Sequence, residues 1–113
     1  MESGQLPQVD VASVSSDALL LDVREDDEWK AGRAEGALHI PMSEFVARIG
    51  ELTERAGADE RVYVMCRVGG RSAQVTQYLR QQGVDAVNVD GGMLAWEAAG
   101  RPLTADGENA YVL

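Results

Sequence analysis

The feature that most constrains this chain is a switch from strand to helix around residues 61–82. Arg61-Val-Tyr-Val-Met65 reads as a strand bounded by polar residues. It runs straight into Cys66-Arg-Val-Gly-Gly-Arg71. From about Ser72 to Gln82 a helical pattern takes over, with Ala73, Thr76 and Leu79 on one face and Gly83 as its stop.

The same alternation recurs along the chain. Val9-Asp10-Val11 suits a short edge strand. Leu19-Leu20-Leu21, then Asp22-Val23, reads as a buried strand entering a polar turn. Asp26 to Ala31 suits a short helix with acids in its first turn and Gly32 past its end. Leu38-His39-Ile40 is a brief strand stopped by Pro41. Ser43 is placed to cap a helix whose stripe is Phe45, Val46, Ile49 and Leu52. Ala86–Val89 is a strand, Asp90-Gly91-Gly92 a turn, and Leu94, Trp96 and Ala99 mark a last short helix. Strands separated by helices predict an α/β fold, with a parallel sheet covered on both faces. Ligands of such sheets sit beyond the carboxyl ends of the strands. The loops after Val23 and Met65 fall there.

Composition narrows the function classes. A length of 113 residues suits one domain. Residues 1–8 read as a flexible N-terminal segment and 104–113 as a C-terminal tail. Fraying is expected at 1–7 and 104–110, which are polar and rich in small residues. Ten Lys and Arg against 19 Asp and Glu give a net charge of −9, which disfavours nucleic acid and anionic membranes. The single cysteine excludes an internal disulfide and a Cys-rich zinc site, and the single histidine leaves few ligands, so no metal is expected. No apolar run approaches the roughly 20 residues that span a bilayer, and the opening MESGQLPQVD lacks the apolar core of a secretory signal. A soluble, cytoplasmic protein is the expectation.

The chemistry concentrates at Cys66. A helix N-terminus presents free N–H groups and the positive end of its dipole. Gly69 and Gly70 can take positive φ and turn successive amides inward as an anion nest. Arg71 adds a permanent charge whose planar fork suits an oxyanion. Together these predict a thiol of lowered pKa. At an ordinary pKa of about 8.5, roughly 3% of a thiol is ionised at neutral pH, and a shift of about two units requires about 2.7 kcal/mol. A helix terminus supplies at most about 2 kcal/mol, so the arginine and the amides must add the rest. A buried, inert cysteine is the plainer alternative. It suits a cysteine inside RVYVM better than one followed by two arginines and two glycines.

Here the chain resembles the single-domain rhodaneses. Cys66-Arg-Val-Gly-Gly-Arg71, then Ser72-Ala73, Leu79 and Gly83, resembles their active loop and following helix. Leu20-Leu-Asp-Val-Arg-Glu25, Glu28-Trp29, Gly32, Gly36-Ala37 and Ile40-Pro41 resemble the N-terminal signature. Asn88-Val-Asp-Gly-Gly92, Trp96, Ala99-Gly100 and Pro102 resemble the C-terminal one. The likeness spans residues 9–103, nearly the whole chain. It implies a rhodanese-like domain with a central five-stranded parallel sheet. It also implies sulfur transfer through a persulfide on Cys66, with no cofactor. The donor would be a small anion such as thiosulfate and the acceptor cyanide or a thiol. The resemblance further implies that the amides from Arg67 through Val68, Gly69, Gly70 and Arg71 to Ser72 surround the sulfur. Arg67 and Arg71 would orient the donor. One departure is Gly32-Arg33-Ala34, where the family usually has Gly-His-Ile; an exposed Arg33 is the plain expectation.

Other residues read more modestly. Asp22 and Arg24 are expected to brace the loop from behind. His39 is expected to be packed and hydrogen-bonded, Trp29 and Trp96 to anchor core or rim. Asp26-Asp27-Glu28 reads as a solvated helix face, since it lacks the spaced ligands of a calcium loop. Gly91-Gly92 lacks the Lys-Ser/Thr of a phosphate loop and reads as a tight turn. Two other functions remain open. A phosphatase or arsenate reductase would share a Cys-and-Arg cradle, but those loops generally run Cys-x5-Arg and this one is Cys-x4-Arg. A persulfide carrier or binding module for a protein partner would use the same Cys66.

Overall fold

A computed structural model describes residues 6–57 and 59–113. The expected looseness of residues 1–5 lies outside the described part. Seven strands and four helices follow in the order β1 (Gln8–Val9), β2 (Leu19–Asp22), α1 (Asp26–Ala31), β3 (Arg33–Ala34), β4 (Leu38–His39), α2 (Phe45–Arg55), β5 (Val62–Met65), α3 (Gly70–Gln81), β6 (Ala86–Val89), α4 (Gly92–Ala98) and β7 (Leu103–Thr104). The central sheet has five strands in the order β1-β6-β5-β2-β4. All its pairings are parallel.

Alternation along the central strands divides the core in two. Leu19 and Leu21 of β2 and Val62 and Val64 of β5 pack with Phe45 and Leu52 of α2 and Val75 and Leu79 of α3. Leu20 and Met65 face the other way, onto Met93 and Trp96 of α4. Both sheet faces are thus covered, which is what fully apolar parallel strands require. Register decides what meets at the carboxyl ends. Asp22 lies level with Met65, so the turn after β2 and the loop after β5 emerge side by side.

The β2 turn is fixed by a buried ion pair. Arg24 and Asp22 are both fully buried and lie 2.8 Å apart. Asp22 also accepts the Arg24 backbone amide, and the guanidinium donates to the Gly32 carbonyl. The Arg24 carbonyl in turn accepts from His39 Nε2 at 2.7 Å. His39 stacks on Trp29, with ring centroids 4.4 Å apart. His39 is thus packed and hydrogen-bonded as expected, while Asp22 and Arg24 fix the β2 turn itself.

Several local expectations are corrected. The first strand ends at Val9, because Asp10 caps a 3-10 turn by accepting the Ser13 amide. Ser43 caps nothing; its hydroxyl donates to Glu25, and α2 begins after a 3-10 turn at Met42–Glu44. Val46 points to solvent, leaving Phe45, Ile49 and Leu52 to carry the stripe. Ser72 and Val75, more than Ala73, fill the inner face of α3. Leu94 is only half-buried and Ala99 is exposed, so Met93 joins Trp96 on the inner face of α4. Arg33 is half-buried over the Trp29 ring and paired with Asp106.

The ends are also tied. The Asn88 amide donates to the Pro7 carbonyl. Strand β7 pairs antiparallel with β3, and the amides of Asp106 and Tyr111 donate to the carbonyls of Lys30 and Ala31. Backbone pairing of this kind leaves no trace in composition. Among the described residues no helix is long and apolar enough to cross a membrane.

Breaking the Asp22–Arg24 pair leaves a fully buried guanidinium uncompensated. Asp22→Ala should therefore cost about 3–5 kcal/mol, read as a lowered urea midpoint with an unchanged m-value. A loss below about 1 kcal/mol would remove the bracing role.

Candidate active site

Cys66 follows β5 directly, and its residue surface is 1% exposed. Its Sγ accepts from the Gly69 amide at 3.1 Å, the Ser72 amide at 3.4 Å and the Ser72 hydroxyl at 3.3 Å. The turn that makes this possible sits at Gly69, the residue before α3, with φ of 123°. A side chain is strained there. Gly70 does not adopt positive φ, so only one of the two glycines supplies the turn.

The loop is held from outside by its carbonyls. The Met93 amide donates to the Cys66 carbonyl at 2.8 Å and the Leu94 amide to the Arg67 carbonyl at 3.1 Å. In a trans peptide the N–H points opposite to the C=O. Pulling these carbonyls toward α4 therefore turns the Arg67 and Val68 amides the other way, inward. Gly92 permits the contact: a Cβ there would collide with the carbonyls of Cys66 and Arg67. Gly91-Gly92 is thus a turn, as read, and also the seat of the loop. Asn88 of β6 adds a third tie. Its Nδ2 donates to the Gly69 carbonyl at 3.2 Å, and its Oδ1 accepts the Ser72 hydroxyl at 2.6 Å.

Burial is the largest influence on the Cys66 thiol and pushes its pKa up. The Ser72 hydroxyl and the amides of Ser72, Gly69 and Val68 outweigh it, so the pKa lies below the ordinary value. The direction and the part played by the amides match the sequence reading, but the arginine's part does not. Arg71 does not donate to the sulfur. Its guanidinium forms a two-bond fork with the Glu28 carboxylate, at 2.7 and 2.9 Å. That fork holds the Glu28 carboxyl below its usual range against desolvation and raises Arg71 further above its own. Cys66 also favours the charged Arg71 through space, as a lesser influence. Arg67 is engaged at the rim, where Nε donates to the Leu113 carbonyl at 3.0 Å. The Val68 side chain is exposed at the same rim.

The backbone from Cys66 to Ser72 comes together as one cradle, whereas the side chains of Asp22 and Arg24 bond to each other and to the Gly32 carbonyl in the neighbouring β2 turn. Sequence reading missed Glu28, Asn88 and the seating role of Gly92. Glu28 was read as part of a solvated face, whereas its side chain is 14% exposed and bonded to Arg71. It and Asn88 lie inside the sequence blocks that carried the resemblance, but neither announces its partner. A cavity of about 490 Å³ opens at the opposite end of the sheet, among Ala18, Leu20, Trp96 and Pro102. It touches none of these residues.

Residues 8–99 match the Rhodanese-like domain family. YtwF of Bacillus subtilis (strain 168), provisionally named a sulfurtransferase, is 43% identical over 83 residues, 74% of this chain and 77% of that one. A sulfurtransferase of Allochromatium vinosum is 38% identical over 92 residues, 80% of this chain and 82% of that one. Among solved structures, a rhodanese-like domain protein from Staphylococcus aureus superposes with a TM-score of 0.68 at 30% identity, covering 94% of this chain and 99% of that one. A thiosulfate sulfurtransferase from Pseudomonas aeruginosa reaches 0.76 at 26% identity, over 93% of this chain and 21% of the larger protein. The match to the family over residues 8–99, and relatives of this kind over most of its length, place the chain in the rhodanese-like sulfurtransferase family.

Proposed function

We propose that the chain moves sulfane sulfur from a small anionic donor, with thiosulfate as the working example, to a thiophilic acceptor through a Cys66 persulfide. The thiolate attacks the outer sulfur of thiosulfate. The S–S bond of the donor breaks and its electron pair leaves on sulfite. Cys66 keeps the sulfur as a persulfide anion. Cyanide or a thiolate then attacks that outer sulfur, and the pair returns to Cys66. This is covalent, ping-pong catalysis in which no proton need move in the transfer itself. No cofactor enters.

The observation that carries the reading is the convergence of the Gly69 amide, the Ser72 amide and the Ser72 hydroxyl on one sulfur. Donors already in place stabilise the charge of the attacking thiolate on Sγ, and do so again when the thiolate is regenerated. The short Cys-x4-Arg loop supports a compact transferred group. The same shortness weighs against the phosphatase reading, whose loops generally run Cys-x5-Arg. The anionic donor would meet Arg67 and the half-exposed Arg71 at the rim, with Gly70 leaving that side uncrowded. A protein acceptor is the second reading: Val68 and Leu113 are both exposed beside Arg67 and offer an apolar rim to a partner. The chemistry needs Cys66 reduced, which suits a reducing compartment such as the cytoplasm.

Intact-mass measurement after incubation with thiosulfate should show a gain of one sulfur atom, lost on adding cyanide and absent from Cys66→Ser. No gain in a protein whose Cys66 still alkylates would sink the thiosulfate reading. Glu28→Gln keeps the side-chain size but removes the negative charge beside Arg71 and replaces one of its two acceptor oxygens with an NH2 that cannot accept. It should lower the KM for thiosulfate several-fold with a smaller change in kcat. An unchanged KM would take Arg71 out of donor binding.

A further inference from the structure

Ser72 has one hydroxyl proton and two acceptors for it. Its Oγ lies 2.6 Å from Asn88 Oδ1 and 3.3 Å from Cys66 Sγ. The orientation of the Asn88 amide is not free. Its Nδ2 faces the Gly69 carbonyl at 3.2 Å and Gln8 Oε1 at 3.4 Å, and the carbonyl can only accept. Oδ1 must therefore face Ser72. Both side chains are buried, Ser72 fully and Asn88 to 2% exposure, so water does not readily replace a missing partner. A hydroxyl donates one hydrogen bond at a time.

We propose that Asn88 is a positioning residue that governs how readily Cys66 ionises, by competing with the sulfur for the Ser72 hydroxyl proton. While Cys66 is a thiol, Ser72 donates to Asn88 and its lone pair can accept the S–H. When Cys66 loses its proton to solvent, the thiolate draws the Ser72 O–H toward itself. The buried Asn88 oxygen is then left without a donor, and that cost opposes ionisation. No covalent bond other than S–H changes; two hydrogen bonds exchange.

A consequence rests on the function proposed above. In a persulfide the charge sits on the outer sulfur and Sγ is neutral. The Ser72 proton can return to Asn88, so the pair favours the loaded form over the bare thiolate. The charged groups around the sulfur are Arg67 and Arg71 from the loop and α3, Glu28 and Glu25 from the α1 side, and the Asp22–Arg24 pair at the end of β2. All remain in place in the variants below.

The test is the pH dependence of Cys66 alkylation by iodoacetamide, which needs no sulfur donor. Asn88→Ala should shift the midpoint down by about half a unit to one unit, because the hydroxyl then serves the sulfur alone. Ser72→Ala should shift it up by a similar amount. In the Ser72→Ala background, Asn88→Ala should have no effect. Asn88→Leu, nearer in volume, should reproduce the downward shift if the alanine variant does not fold. An upward shift, no shift, or the same shift in both backgrounds would overturn the proposal and assign Asn88 to loop support through Gly69. An unchanged midpoint in Ser72→Ala alone would also overturn it. None of these outcomes depends on whether thiosulfate loads the protein, so this inference and the proposed function fail separately.

Discussion

The site depends on two hydrogen bonds that never touch the sulfur. The amides of Met93 and Leu94 hold the carbonyls of Cys66 and Arg67, and the planarity of the peptide does the rest. With these carbonyls fixed outward, the Arg67 and Val68 amides turn inward, and the turn at Gly69 brings the Gly69 and Ser72 amides onto the sulfur. Buried N–H groups need acceptors, and Cys66 Sγ is the acceptor at the centre. The contact requires close approach of α4, which is why Gly92 carries no side chain. Sheet register then sets the braced β2 turn beside this loop.

The cradle works by dipoles more than by ions. Net hydrogen bonds to charged groups contribute about 1.5–3 kcal/mol each, so a few amides and a hydroxyl can outweigh the desolvation of one thiolate. The arginines that stand out in the sequence are held at the rim by Glu28 and by Leu113. Their charge is arranged for an arriving anion, while the nucleophile is tuned by uncharged groups. A thiol whose folded pKa lies below its unfolded one leaves the native state with fewer bound protons. The native state is therefore stabilised as pH rises across that window, and the gain is lost as pH falls through the folded value.

Much of this was legible in the sequence because local signals agreed. The Leu19-Leu20-Leu21 run of β2, the apolar β5, Gly32 after α1 and Gly83 after α3 mark a parallel α/β sheet, and Cys66 sits where such sheets place ligands. What escaped were partnerships across the chain. Nothing in Asp26-Asp27-Glu28 distinguishes the acid that clamps Arg71, 43 positions away, from its two solvated neighbours. Asn88 reads as an ordinary strand residue until its amide is seen between Ser72 and Gly69. The tail around 104–112 has the composition of a loose end, yet its backbone pairs with β3 and its Val112 packs beneath. Ser43 and Val46 failed for a related reason. A 3-10 turn at Met42–Glu44 takes Ser43 away from the start of α2, and Val46, about 100° round the helix from Phe45, falls outside the Phe45, Ile49 and Leu52 stripe.

The most direct test of the cradle is the ionisation of Cys66 in the unmodified protein, followed by thiolate ultraviolet absorbance against pH with the Cys66→Ser protein as blank. The inward amides and the Ser72 hydroxyl predict a midpoint below the ordinary thiol value of about 8.5. A midpoint at or above that value would mean that burial prevails, and would contradict the account of Cys66 as a thiolate held ready by the loop.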